Sequence, residues 1–163
     1  MHKKYLIMKN YNFWTLREKL LNETNPLKIK FYKKKYRKML KENNAWIPLS
    51  ADIKEVPLMP HGIKGVFISK NATIGKGCTI LHQVTIGSNA FDDSKHTGSP
   101  VIGDNVFIGA GAKIIGGIKI GNNVRIGAGC VVCEDIPDNC TVVLPKPVII
   151  EHTEKRNNKY KLL

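Results

Sequence analysis

Residues 102–132 read IGDNVFIGAGAKIIGGIKIGNNVRIGAGCVV, and this stretch decides the fold. An aliphatic residue recurs every six positions, at Ile102, Ile108, Ile114, Ile120, Ile126 and Val132. Four residues after each stands a small or branched apolar residue: Val106, Ala112, Ile118, Val124, Cys130 and Ile136. Upstream the same spacing joins Ile68, Ile74, Ile80 and Ile86 to Ala72, Cys78, Val84 and Ala90. A period of six matches neither a helix face nor the two-residue alternation of a half-buried strand. It matches a parallel β-helix, in which each hexad forms one short side of a triangular coil and the aliphatic side chain points inward. Gly75, Gly87, Gly103, Gly109, Gly121 and Gly127 each follow an aliphatic residue. The pattern predicts positive φ for these glycines at the corners. A sandwich of short strands would not keep so strict a spacing.

The fold class expected is therefore an all-β solenoid with a short helical, basic N-terminal arm. Length and composition agree with one repeat body plus extensions: a basic two-helix arm over 1–45, the β-helix over 46–150 with an inserted loop at 88–100, and a tail over 151–163. The apolar content of 42% is enough for a core spread along a solenoid axis. No apolar run is long enough for a membrane span or a signal peptide, so the expected location is cytoplasmic. Of the four cysteines, Cys78 and Cys130 occupy inward hexad positions and read as core. Cys130 and Cys133 form a CxxC with no second pair at ligand spacing, so no metal site is expected.

The net charge of +13 is unevenly placed. Residues 1–45 hold 13 Lys/Arg against 3 Asp/Glu, whereas residues 46–150 hold 9 against 8. In the arm, residues 1–12 read as an extended or poorly ordered lead. Phe13–Thr24 reads as a helix with Phe13, Leu16, Leu20 and Leu21 on one face, broken by Asn25-Pro26. Leu27–Asn43 reads as a second helix with an apolar stripe of Ile29, Tyr32, Tyr36, Met39 and Leu40. Its other face is cationic. That face reads either as a solvated surface or as a patch for an anionic surface or partner. No nucleic-acid motif accompanies the charge, and no nucleic acid is expected.

The sixfold rule fails in two places. The register slips around His61-Gly62-Ile63-Lys64-Gly65, and Ile86 and Ile102 stand 16 apart where a repeat needs 6. The ten extra residues are polar and include Asp92, Asp93, Lys95 and His96. A loop thrown from a stiff scaffold is a common place for function. Three histidines of the body, His61 at the slip, His82 within a hexad and His96 on the loop, are candidates for proton transfer. His82, at the third position of its hexad, is expected to project outward from a flat side. Pro145-Lys146-Pro147 ends the coil, and the tail beyond reads as a short helix or as disorder. No nucleophile-elbow or phosphate-loop motif is present.

Ile80-Leu81-His82-Gln83-Val84-Thr85-Ile86-Gly87, the run from Ser99 to Gly116, and Ile126-Gly127-Ala128-Gly129-Cys130-Val131-Val132 together resemble the left-handed β-helix acyltransferases. Among these they are most similar to serine acetyltransferases and the shorter serine-acetyltransferase-like O-acetyltransferases. The resemblance covers roughly residues 46–150. It implies acetyl transfer from acetyl-CoA to a small hydroxylated acceptor, with His61 as general base and no covalent intermediate. It implies a homotrimer, with the co-substrate in a groove between neighbouring subunits. Gly109, Ala110, Gly111, Ala112, Gly127 and Ala128 would face the pantetheine arm, with Lys113 and Lys146 toward the phosphates. His82, Asp92, Asp93, Lys95 and His96 are the candidates on the acceptor side.

Departures from the family pattern are equally specific. The family places an aspartate before its catalytic histidine and another one coil earlier. Here Pro60 and Trp46 stand there, leaving Glu55, Asp92, Asp93 or a backbone carbonyl to orient the base. The family's Arg-His pair before the re-entering proline is replaced by Ser99, with Lys95-His96 as a displaced analogue. The acceptor is therefore either L-serine or a hydroxyl of a sugar or surface-polysaccharide precursor. An antibiotic-modifying acetyltransferase and a non-catalytic β-helix scaffold are the other readings.

Overall fold

The computed structural model describes residues 13–159. The lead expected over 1–12 and the end of the tail at 160–163 lie outside the described residues. Residues 13–22 are helical (α1), and a second helix follows at Pro26–Glu42 (α2). Asn25-Pro26 both breaks the chain and starts α2. The Asn25 carboxamide oxygen accepts from the amides of Leu27 and Lys28 at 3.0 and 3.3 Å, and Pro26 occupies the first turn, where no amide is needed.

Beyond α2 the chain winds as a left-handed parallel β-helix. One face stacks β1 (Asp52–Ile53), β3 (Thr73–Ile74), β6 (Val101–Ile102) and β9 (Lys119–Ile120). The second stacks β2 (Phe67–Ile68), β5 (Thr85–Gly87), β8 (Lys113–Ile115) and β11 (Val131–Val132). The third stacks β4 (Thr79–Ile80), β7 (Phe107–Ile108), β10 (Arg125–Ile126) and β12 (Thr141–Val142). Where the repeat is regular, stacked partners are three hexads apart: Val101 lies over Lys119, and Phe107 over Arg125. Asp52 pairs with Thr73 and Leu58 with Thr79, 21 residues apart, so the first coil holds three extra residues. Thr73 pairs with Val101 and Thr85 with Lys113, 28 apart, which locates the ten extra residues in the loop. Arg125 and Thr141 are 16 apart, so the last coil is two residues short.

The inward hexad residues form the core. Ile74, Ile80, Ile86, Ile108, Ile114 and Ile126 are fully buried, with Ala72, Val84, Ala112 and Ile118 beside them. Each buried isoleucine contributes about 1.5–3 kcal/mol of transfer free energy. Ala90 does not take the inward place expected of it. It is exposed, because the chain has already left the coil for the loop.

The glycines after the aliphatic residues also differ from expectation. Positive φ falls instead three residues after six of the aliphatic positions, at Gly77, Gln83, Asn105, Gly111, Asn123 and Gly129, and at Asn139, three after Ile136. Gly75, Gly87, Gly103, Gly109, Gly121 and Gly127 are not in that region. Most of them are small because the next coil is close: a Cβ on Gly109 would lie 2.5 Å from the Ala128 nitrogen and 2.7 Å from the Gly127 carbonyl carbon.

The two helices pack onto the start of the first coil. Phe13 stacks on Tyr36 at 5.0 Å, and the Tyr36 hydroxyl donates to the Ile47 carbonyl at 2.6 Å. Burial pushes the Tyr36 phenol up to about 12. Arg17 is buried and donates to the carbonyls of Leu49 and Ala51 at 3.1 and 2.8 Å. Leu21, expected on the packed face of α1, is exposed because Arg17 and Leu20 take that side. The apolar stripe of α2 is as expected: Tyr36 and Leu40 are buried, with Ile29, Tyr32 and Met39 against them. No helix among the described residues is long and apolar enough to cross a membrane. Residues 151–159 of the tail are exposed and carry no helix.

Candidate active site

The three extra residues of the first coil form a bulged corner between Met59 and Val66. Met59 and Ile63 are buried and pin it, while the Gly62 amide bonds to the Met59 carbonyl at 3.0 Å and the Gly65 amide to Asn43 at 2.9 Å. Gly62 and Gly65 have φ of 72° and 64°, which lets the chain turn twice in so short a span. The result places His61 outward and exposed.

The next coil turns the same corner at Leu81-His82-Gln83, and the Gln83 amide donates to the Lys64 carbonyl at 2.9 Å. That register brings the two histidines together. The rings of His61 and His82 meet edge to face, centroids 4.9 Å apart and planes at 80°. His82 is therefore not on a flat side, as its hexad position suggested. It sits in the corner, half-buried, with Nδ1 buried and without a hydrogen-bond partner. Gln83 in the left-handed region turns the corner and aims His82 back toward His61.

The column continues down the prism. The His82 carbonyl accepts from the Gly111 amide at 3.0 Å, and the Ala110 carbonyl accepts from Gly129 at 2.8 Å. Lys64, His82, Ala110 and Ala128 thus hold equivalent places in successive coils, since the Gln83 amide bonds to the Lys64 carbonyl in the same way. Below the His82 imidazole only two methyl groups follow, those of Ala110 and Ala128. Of the backbone groups expected to face a pantetheine arm, the amides of Gly109, Gly111, Ala112 and Gly127 are already committed within the chain. Among the described residues of these runs, the Ala110 and Ala128 amides carry no such bond. Lys113 is exposed, with Nζ 3.3 Å from the Gly111 carbonyl, and Lys146 is exposed on the strand-free segment after β12.

The inserted loop leaves from the other end of β5. It closes on itself through an antiparallel bridge between Asn89 and Gly98, with 2.8 Å bonds in both directions. The Asn89 side chain donates to Ser94 Oγ at 2.6 Å, and the Thr97 hydroxyl donates to the Phe91 and Ser94 carbonyls. Its return limb rests on the next coil, where the Gly117 amide donates to the His96 carbonyl at 2.8 Å. His96 is half-buried, with Nε2 buried and unpartnered, while Asp92, Asp93 and Lys95 are exposed. Within one chain, then, the fold joins His61 to His82 and puts His96 one prism face away.

Glu55 does not orient His61. Its carboxylate accepts from the Gly77 amide at 3.0 Å, on a different corner. The group placed against His61 is the His82 ring, which sequence reasoning had assigned to the acceptor side. The Gly116-Gly117 pair that seats the loop was also missed. The signal was a doubled glycine where a hexad calls for one. The CxxC pair is split: Cys130 is buried and Cys133 exposed. Burial and the nearby Asp104 and Glu55 carboxylates raise the Cys78 thiol.

Comparison with known proteins places this geometry in context. Residues 99–134 match the family described as bacterial transferase hexapeptide (six repeats). The serine acetyltransferase of Synechococcus elongatus is 48% identical over 90 residues, which covers 55% of this chain and 36% of that protein. The crystal structure of serine acetyltransferase isoform 3 from Entamoeba histolytica, in complex with cysteine, superposes with a TM-score of 0.64 at 32% identity. It covers 77% of this chain and 44% of that one. The Neisseria gonorrhoeae serine acetyltransferase in complex with serine superposes with a TM-score of 0.52 at 40% identity, covering 61% of this chain and 40% of that one. The chain spans less than half the length of these relatives.

Proposed function

We propose that this chain is an acetyl-CoA-dependent O-acetyltransferase acting on a small hydroxylated acceptor, as the serine acetyltransferases it resembles do. The observation that carries this reading is the His61–His82 pair at the head of the Ala110–Ala128 column. His61, exposed and held edge to face against His82, takes the proton of the acceptor hydroxyl. The acceptor oxygen attacks the thioester carbonyl, the C–S bond breaks, and the proton passes on to the departing thiolate. A thioester is already activated, so orientation and proton removal are the main demands on the protein.

The column beneath His82 suits the co-substrate. Two alanine methyls leave space for a thin, flexible arm. The Ala110 and Ala128 amides offer donors at a spacing of one coil, about 4.8 Å. Lys113 and Lys146 supply cations toward the phosphates. A homotrimer, three-sided prisms packed about a shared threefold axis, gives this column its second wall. L-serine is the acceptor favoured by similarity. The displaced Lys95-His96 and the Ser99 hydroxyl, bonded to Ser88 at 2.7 Å, favour a sugar hydroxyl as the second reading.

The test is thiol release from acetyl-CoA, measured with L-serine, nucleotide sugars and oligosaccharides in parallel. Turnover with at least one of these acceptors is expected. Saturating CoA is also expected to raise the melting temperature, since a ligand of the folded state stabilises it by mass action. Absence of both effects would remove the acyltransferase reading.

A further inference from the structure

The proposed acetyl transfer uses no residue on the outer face of α2. Opposite the buried Tyr36 the helix presents Leu27 and Phe31, one turn apart, 78% and 64% exposed. Lys30, Lys34 and Lys38 surround them and are exposed. The whole helix holds eight cations against one carboxylate, Glu42. Its ion pairs are weak: Lys28 reaches Glu23 at 4.0 Å and Lys38 reaches Glu42 at 3.8 Å. Phe31 meets the Tyr32 ring with centroids 5.9 Å apart, but the stripe that anchors α2 lies on the other side, and most of the Leu27 and Phe31 surface stands outward among lysines.

We infer that this face docks the protein on an anionic lipid bilayer, with the Leu27 and Phe31 side chains in the headgroup–acyl boundary and the lysines at the headgroups. An amphipathic helix with a basic rim and an apolar centre binds a membrane surface by both terms at once. The charge excludes a second copy of this chain, since two such faces repel. An acidic polymer would engage the lysines but leave Leu27 and Phe31 in water. The inference does not depend on the acyltransferase reading.

The experiment is co-sedimentation of the full chain with phosphatidylcholine vesicles and with phosphatidylcholine–phosphatidylglycerol vesicles, at low and high salt. Binding is expected to the anionic vesicles only, and to weaken as salt rises. Lys30→Gln and Lys34→Gln should each lower the partition coefficient about fivefold. Phe31→Ser should lower it about tenfold without changing the salt dependence. All three positions are exposed, and circular dichroism should show unchanged folding. Failure to bind anionic vesicles, equal binding to neutral ones, or full binding by Phe31→Ser each overturns the proposal. Retention on heparin or duplex DNA, untouched by Phe31→Ser and without vesicle binding, assigns the face to an acidic polymer and overturns it as well.

Discussion

Two regions of this molecule obey opposite rules. From Val101 to Val132 every coil repeats in 18 residues, and the inward residues are 0–4% exposed. Between Met59 and Val66, and again between Ser88 and Ser99, the count is broken by three and ten residues. The regular region satisfies most of its own backbone, because amide after amide bonds to the coil beside it, and the side chains pointing inward are apolar. It contains no histidine. The breaks hold His61 and His96, and His82 is drawn into the first by stacking one coil below it. A strict repeat builds a surface whose backbone is largely spent on its neighbours, with the Ala110 and Ala128 amides as exceptions. Chemistry requires a side chain that the repeat does not own, and the chain obtains one by adding residues at a corner.

The sharpest way to break this contrast is at His61. His61→Ala removes an exposed ring from a corner pinned by Met59 and Ile63, so the melting temperature should stay within about a degree or two of the parent. Acetyl transfer, followed by thiol release at saturating acceptor, should fall by about 10²–10⁴, the range for loss of a general base. A variant that retains activity within a few-fold of the parent would assign the proton transfer elsewhere, and His82 would be the next residue to change.

The reverse experiment belongs in the regular region. Ile108 is fully buried and sits on β7 between β4 and β10. Ile108→Ala opens a cavity in a close-packed triangular coil, and unfolding by urea should show a loss of about 2–5 kcal/mol. Acceptor and co-substrate KM should change little in the fraction that remains folded. A loss below about 1 kcal/mol would mean that the coil can collapse around the gap, and the division between rigid scaffold and free corners would weaken.

How far the sequence shows this contrast depends on which interactions are local. The hexads are local, and they located the coils, the slip at His61 and the size of the loop. The basic helix and its Tyr36–Leu40 stripe were equally readable. The meeting of His61 with His82 was not, because it depends on the 21-residue pairing across the slip, which shifts both corners together. The position of Gln83 in the left-handed region mattered too, since the hexad alone would leave His82 on a flat side. The place of positive φ was misread for a related reason. Glycine after isoleucine invites a conformational explanation, whereas at Gly109 the cause is the backbone of the next coil, which period six does not reveal. Buried Arg17 was missed because a lone arginine on a helix ordinarily reads as solvated.

The smallest effect expected concerns how the loop is seated. A Cβ on Gly117 would press on the Thr97 carbonyl and lie 3.3 Å from the Gly98 Cα, both backbone atoms of the return limb. Its neighbour Ile118 is fully buried and holds the coil independently of the loop. Gly117→Ala should therefore lift the limb and strain the Gly117–His96 hydrogen bond while β6 and β9 keep their register. Stability should fall by about 1 kcal/mol, the usual net worth of one hydrogen bond. Limited trypsin digestion at Lys95, which is exposed on the loop, should quicken several-fold. If the loop reads the acceptor, acceptor KM should rise several-fold and the acetyl-CoA KM should hold. Unchanged digestion would show that Gly117 does not seat the loop. Faster digestion with an unchanged acceptor KM would leave the loop seated there but divorced from the reaction, and the acceptor would have to be sought elsewhere around the His61–His82 pair.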